Sequence, residues 1–382
     1  MGNTTWIEYQ LGELLSYEQP TPYIVESTKY NDTYPIPVLT PGKSFILGYT
    51  NECSGIYDKL PVIIFDDFTT ASRHVTFPFK VKSSAMKILT ANPEIVNSKF
   101  IYYRMQIIDF DCSTHKRYWI QSYSKIKVHI PPLEEQRRIV ARIEELFSEL
   151  DAAVATLERT KEQLAVYRQA VLKEAFESDS PLYFGNLGDY LVSIDSGKSF
   201  KCIERPPGFG EYGVIKVSAV TWGEFNESES KTCPAERFIK EKEIHPGDFL
   251  FSRANTLQLI GNSVIVKDIQ KKLMLSDKIL RLNFSDNIFP RYVLYFLRSK
   301  CGKKQIQEFS TGNQESMRNI GQDRIRRIVI PYFELETQKK IVSEIESRLS
   351  VCHKIEEKVN TALQEAEAMR QSILKQAFSG EL

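Results

Sequence analysis

The sequence has little of what marks a metalloprotein, a redox enzyme or a membrane protein. Its 382 residues hold 5 histidines and 6 cysteines, and neither type clusters. His74, His115, His129, His245 and His353 never fall at i, i+4 spacing, so they make no helical metal site. Cys53, Cys112, Cys202, Cys233, Cys301 and Cys352 form no Cys-x-x-Cys pair, which excludes the zinc-knuckle and redox motifs. They read as reduced structural thiols in a reducing compartment such as cytoplasm. Nowhere do about 18 apolar residues run without a charge. The start, MGNTTWIEYQ, lacks a positive region followed by an apolar core, and Trp6 stands where a myristoylation signal needs Ser or Thr. The expectation is a soluble intracellular chain without a lipid anchor.

The usual enzyme motifs are missing too. Gly42-Lys43-Ser44 and Gly197-Lys198-Ser199 resemble the ends of phosphate loops, but Pro37 and Val192 occupy the places where such loops need glycine. Asn92-Pro93 is followed by Glu94, which breaks the pattern of an adenine methyltransferase, and no glycine-rich cofactor loop accompanies it. Asp66-Asp67 has no third carboxylate or lysine at nuclease spacing and reads as a loop element. No catalytic group, metal ligand or resident cofactor is expected, although a site assembled from distant residues escapes such a search.

What the sequence does contain is a repeat. Residues 136–176 align without a gap on residues 338–378, each copy following an Ile-Pro, Ile130-Pro131 or Ile330-Pro331. Gln136 matches Gln338, Ile139 matches Ile341, and Arg168-Gln169 matches Arg370-Gln371. Both copies are free of Pro and Gly and rich in helix formers. Steps of four and three visit Ile139, Ile143, Leu146, Leu150, Ala153, Leu157, Thr160, Leu164, Tyr167, Val171 and Glu174, and in the second copy Ile341, Ile345, Arg348, Cys352, Ile355, Val359, Ala362, Ala366, Met369, Ile373 and Gln376. This is a coiled-coil seam. Its first turns, 134–150, could instead pack on the preceding domain. Two copies in one chain favour an intramolecular, antiparallel pair.

The segments between the repeats differ from each other in length and read as α/β or mainly β. Short apolar runs at 62–68, 79–83, 212–218 and 248–253 are bounded by Pro, Gly, Asn and Asp. Helices are expected near 93–104 and 289–303. Charge follows the same plan: residues 181–330 carry 23 basic against 17 acidic side chains and residues 1–130 carry 13 against 12, whereas 131–180 have 7 against 11 and 331–382 have 7 against 9. Basic charge on the variable segments is the direction expected of a DNA binder.

The repeat with its flanks, Ile130-Pro131-Pro132-Leu133-Glu134-Glu135-Gln136 and Ile330-Pro331 through Gln338-Lys339-Lys340-Ile341-Val342, resembles the conserved regions of type I restriction-modification specificity subunits. Ser196-Gly197-Lys198, Val217-Ser218, Thr221-Trp222-Gly223, 247–253 and Gly312-Asn313-Gln314 are similar to that family's recognition-domain landmarks, as are 39–43, 47–50, 65–70 and 79–84 in the first half. The resemblance implies an α+β chain of two repeated α/β target recognition domains separated by two long antiparallel coiled-coil helices. The divisions expected are 1–132, a spacer helix at 133–179, 180–331, and a second spacer helix at 332–382.

The same resemblance implies a non-catalytic, DNA-binding specificity subunit. Each recognition domain would read one half of a bipartite site in double-stranded DNA. Two methyltransferase subunits would carry S-adenosylmethionine and modify adenine, and restriction and translocase subunits could join them. Polar and basic loop residues are the candidate DNA contacts: Lys43, Tyr49, Thr50, Thr69, Lys80, Lys82 and Ser84 in the first domain, and Lys198, Lys216, Ser218, Arg253, Asn255, Lys278, Asn313 and Gln314 in the second. A two-domain adaptor that binds only proteins is the rival reading.

Overall fold

A computed structural model describes residues 6–40, 44–114, 116–177 and 180–381. The chain forms two compact units, Met1–Glu158 with Asn360–Leu382, and Arg159–Val359. Each unit joins a β-rich segment to parts of the two long helices, Leu133–Glu177 and Leu335–Ser379. No described helix is long and apolar enough to cross a membrane.

In the first unit an antiparallel sheet runs in the order Leu15–Glu18, Met86–Ala91, Val62–Asp66 and Ser72–Val75. A second sheet places Ile36–Leu39 between antiparallel Ile46–Thr50 and parallel Lys80–Val81. Ile7–Gln10 pairs with Lys127–Ile130 and delivers the chain to the long helix. The second unit repeats this scheme strand for strand. Leu191–Ser196, Ile279–Phe284, Phe249–Ser252 and Ser263–Ile265 form the first sheet, and Ser230–Cys233, Tyr212–Ile215 and Lys272–Met274 the second. Tyr183–Asn186 pairs with Val329–Tyr332. The duplication seen in the helical sequence therefore extends to the sheets. One element is confined to the second unit among the described residues: a small sheet of Ala254–Asn255, Met317–Asn319 and Thr311–Gln314.

The largest core of each unit is built where the long helices meet the larger sheet. Ile139, Val140, Ile143 and Phe147 pack with Phe65, Leu89, Phe100, Ile373, Leu374 and Ala377. In the second unit Val171, Leu172, Ile341, Val342 and Ile345 pack with Phe249, Phe251, Tyr292 and Phe296. The helix segments inside the second unit run antiparallel, because Arg168 bonds Glu356 at 2.6 Å while Glu174, six residues further on, bonds Arg348 at 2.8 Å. In the first unit Arg370 bonds Asp151 and lies over the Phe147 ring. In the helix Leu335–Ser379 every seventh seam residue is buried, namely Ile345, Cys352, Val359, Ala366 and Ile373. The alternate positions are more open, with Ile355 and Met369 exposed. The seam is thus narrower than a symmetric coiled coil.

A single helix expected at 289–303 is two, Pro290–Arg298 and Lys300–Phe309. Ser299 interrupts it with extended backbone and caps the second helix by accepting from the Gly302 amide at 3.2 Å.

The repeated glutamines have a structural role that polarity alone did not announce. Gln136 and Gln338 are completely buried. Gln136 Oε1 accepts from the Asn97 amide at 2.7 Å, and its Nε2 donates to the carbonyls of Ile95 and Pro131 at 2.9 and 2.8 Å. Gln338 Oε1 accepts from the Phe289 amide at 2.8 Å and its Nε2 donates to the Phe333 carbonyl at 2.7 Å. Asn97 and Phe289 are the N-cap residues of the short helices Ser98–Met105 and Pro290–Arg298. One amide therefore ties each long helix to its domain. Gln136→Leu takes the partner from three backbone groups, those of Asn97, Ile95 and Pro131, and at about 1–3 kcal/mol for each orphaned group is expected to cost at least about 3 kcal/mol. Gln364→Leu, on the exposed helix surface, is expected to change stability by less than about 0.5 kcal/mol. Urea titration of both variants measures the difference.

Candidate nucleic-acid interface

The two units present matching loops. In the first, the Asp67 amide donates to the Ala85 carbonyl at 3.3 Å; in the second, the Arg253 amide donates to the Lys278 carbonyl at 3.0 Å. Both bonds join the turn that leaves a central strand, Val62–Asp66 or Phe249–Ser252, to the loop that enters Met86–Ala91 or Ile279–Phe284. Thr69, Lys82 and Ser84 are thereby gathered in the first unit, all exposed. Asp66 Oδ1 shapes that turn by accepting from the Phe68 amide at 2.9 Å. Asp67 is buried, bonded by the Trp119 amide at 2.8 Å and paired with Lys87 at 3.4 Å. The aspartate pair is structural.

The second unit gathers more. Arg253 passes its carbonyl to the Ile320 amide at 2.9 Å, and Asn255 lies opposite Arg318 in the small sheet. That sheet carries Asn313 and Gln314 on its exposed edge strand. Its hairpin needs Gly312, which has φ 139° and would set a Cβ 2.4 Å from the Met317 carbonyl oxygen. Arg318 is spent on the hairpin, donating to the carbonyls of Gly312 and Ser310 at 2.7 and 2.8 Å. Arg253, Asn255, Lys278, Asn313 and Gln314 thus sit on one connected stretch of backbone.

Beside it lies a cavity of about 540 Å³ lined by Phe200, Cys202, Glu204, Lys216, Lys231, Ser276 and Lys278, among others. The loop holding Lys198 closes onto it because Gly197 approaches Leu275 so tightly that a Cβ would stand 1.8 Å from the Leu275 carbonyl oxygen. Ser199 Oγ then donates to Asp277. Lys231 was absent from the sequence-derived candidates, since nothing in its local pattern set it apart. Its hydrogen bond to Glu204, 2.6 Å long, and its charge hold that carboxyl below the usual range.

Some candidates are placed elsewhere. Lys80 is buried, paired with Glu52 at 2.9 Å and donating to the Ser54 carbonyl at 2.7 Å, so the domain itself consumes its charge. Thr50 is also buried, and its Oγ1 accepts from the Glu52 amide at 3.3 Å. These two are corrections: Lys80 stands on a two-residue strand that is buried at both positions, and Thr50 is the buried last residue of its strand, while Tyr49 beside it remains half-buried. Ser218 is half-buried and donates to Glu229 at 2.5 Å. Lys43 and His115 lie outside the described residues. No group of three or more His, Cys, Asp or Glu able to hold a metal occurs among the described residues.

Residues 3–163 and 206–365 match the family described as type I restriction modification DNA specificity domain. The chain is 33% identical to the type I restriction enzyme EcoR124I/EcoR124II specificity subunit of Escherichia coli, across 87% of this chain and 84% of that protein. It is 25% identical to the MjaVIII specificity subunit of Methanocaldococcus jannaschii, across 70% and 67%. A chain from a type I restriction-modification system, solved to explain complex assembly and conformational transition, superposes with TM-score 0.72 at 18% identity, covering 99% of this chain and 98% of that one. The HsdS subunit from Thermoanaerobacter tengcongensis gives TM-score 0.51 at 18% identity, covering 100% and 98%. The structural likenesses establish a shared fold, and the matched domains with the sequence identity establish descent. This chain belongs to the type I restriction-modification DNA specificity family, as a non-catalytic specificity subunit.

Proposed function

We propose that each unit reads one half of a bipartite sequence in double-stranded DNA on behalf of two methyltransferase subunits. The observation that carries this reading is the duplicated loop pair, joined by the Asp67–Ala85 bond in one unit and the Arg253–Lys278 bond in the other. Lys82, Lys198 and Lys278 suit phosphates, which position the protein without reading sequence. Arg253 suits guanine, and Asn255, Asn313 and Gln314 suit adenine. S-adenosylmethionine and the methyl transfer belong to the partners, which restriction and translocase subunits can join. Val166, Tyr167, Val351 and Ile355, exposed on the helices of the second unit, provide apolar area for such partners. The complex would work in the cytoplasm, where bacterial and archaeal DNA resides.

In the assembled complex, Lys278→Ala is expected to weaken binding to every DNA sequence and lower the salt slope by about one. Arg253→Ala is expected to cost about 1–3 kcal/mol on the cognate site and relax the choice at one base pair. Anisotropy titrations with cognate and altered second half-sites over a range of salt distinguish the two. Binding insensitive to salt and to both changes would favour the protein-only adaptor.

Residues 180–331 should behave as a module. Exchanging them for the corresponding segment of another family member is expected to alter one half of the methylated motif and leave the other intact. Methylome sequencing of cells expressing the hybrid reads both halves, and a change in both halves would contradict separate readers.

A further inference from the structure

The second unit brings together two cysteines that the sequence keeps far apart. Ile203 and Thr232 form an antiparallel bridge through reciprocal hydrogen bonds, Ile203 amide to Thr232 carbonyl at 2.9 Å and Thr232 amide to Ile203 carbonyl at 3.1 Å. Moving one residue along each strand in opposite directions sets Glu204 against Lys231 and Cys202 against Cys233. The 2.6 Å ion pair between Glu204 and Lys231 verifies the register. A pair flanking a reciprocally bonded one is non-hydrogen-bonded, with Cα atoms about 4.5 Å apart and side chains on the same face. That spacing lies inside the disulfide range of about 4.4–6.8 Å. Cys202 and Cys233 pack in the same small cluster with Phe200, Val214 and Met274.

We propose that Cys202 and Cys233 are a dithiol that closes to an intrachain disulfide, a redox-modification site that fastens the 199–205 segment to strand Ser230–Cys233. The two thiols are unequal in access. Cys202 is half-buried and lines the cavity, whereas Cys233 is 5% exposed at the end of its strand. The oxidant is a small-molecule disulfide. The Cys202 thiolate attacks one of its sulfurs, forming a mixed disulfide and releasing one thiol. Cys233, deprotonated, then attacks the Cys202 sulfur and expels the second thiol. Two protein thiols become one disulfide while the oxidant is reduced to two thiols, so atoms and electrons balance. Burial pushes both thiols up, which keeps the thiolate fraction small and the exchange slow.

The remaining cysteines serve as internal controls. Cys53 and Cys301 are exposed, and Cys301 and Cys352 lie on helices without a cross-strand partner. The proposal is independent of the DNA-reading assignment. The test treats the full chain with excess oxidised glutathione at neutral pH and maps peptides without reduction. A Cys202–Cys233 link, formed with loss of two hydrogens and no retained glutathione, is expected, together with a rise of several degrees in Tm. Cys301→Ser should behave like the parent in forming that link. Cys202→Ser should form no link and show no Tm rise; Cys233→Ser should stop at a glutathione adduct on Cys202. Because Cys202 is half-buried, its variant carries the test even if Cys233→Ser folds poorly. A parent chain that retains glutathione on Cys202, stays unlinked, or links other cysteines instead would overturn the proposal.

Discussion

The buried side-chain amides of Gln136 and Gln338 are the constraint on which each unit depends. A carboxamide enclosed in an apolar core is tolerable only when its donors and acceptor are engaged. Here the oxygen of each accepts from the amide of the residue that precedes a short helix, and the nitrogen donates to carbonyls that precede the long helix. The position of the long helix on its sheet is thereby fixed in angle as well as depth, which apolar contacts alone would not do. The sheets carry the paired loops, so the placement of Lys82 and Ser84, or of Arg253 and Lys278, rests on the same anchor.

Charge is divided between holding the domains together and facing outward. Lys80 neutralises Glu52 in the first unit, and Lys87 neutralises the buried Asp67. In the second, Arg281 spans Asp195 and Asp248 at 3.2 and 3.0 Å, and Arg205 engages Glu211 at 2.6 Å. The Glu211 carboxyl, bonded by Arg205 and the Gly208 amide, is held down at about 2. Counting basic residues therefore overstates the cationic surface. Lys82, Lys198 and Lys278, exposed on loops, are free to neutralise phosphate without opening an internal ion pair.

Much of this was legible in the sequence, for a physical reason. Helix registers print themselves at seven-residue spacing, and Ile345 through Ile373 kept that spacing into the folded core. Strands leave a two-residue period over four or five residues, too short to reveal that the sheets of the two units share one topology. The same limit misplaced Thr50 and Lys80, since a polar residue on a short strand points inward or outward by a register that only the pairing reveals. Gln136 and Gln338 were visible as an identical pair, but their significance depended on backbone groups from other segments. The split at Ser299 was hidden because its capping partner, the Gly302 amide, lies within a run that otherwise reads as helix.

The central claim is that two loop pairs of one design read separate parts of one DNA sequence. It is tested most directly by placing a photoreactive amino acid at Ser84 in one variant and at Asn255 in another, irradiating the assembled complex on its methylated motif, and locating the crosslinked nucleotides. The account predicts that Ser84 marks one half of the motif and Asn255 the other. Crosslinks from both positions in the same half, or outside the recognised bases altogether, would contradict it.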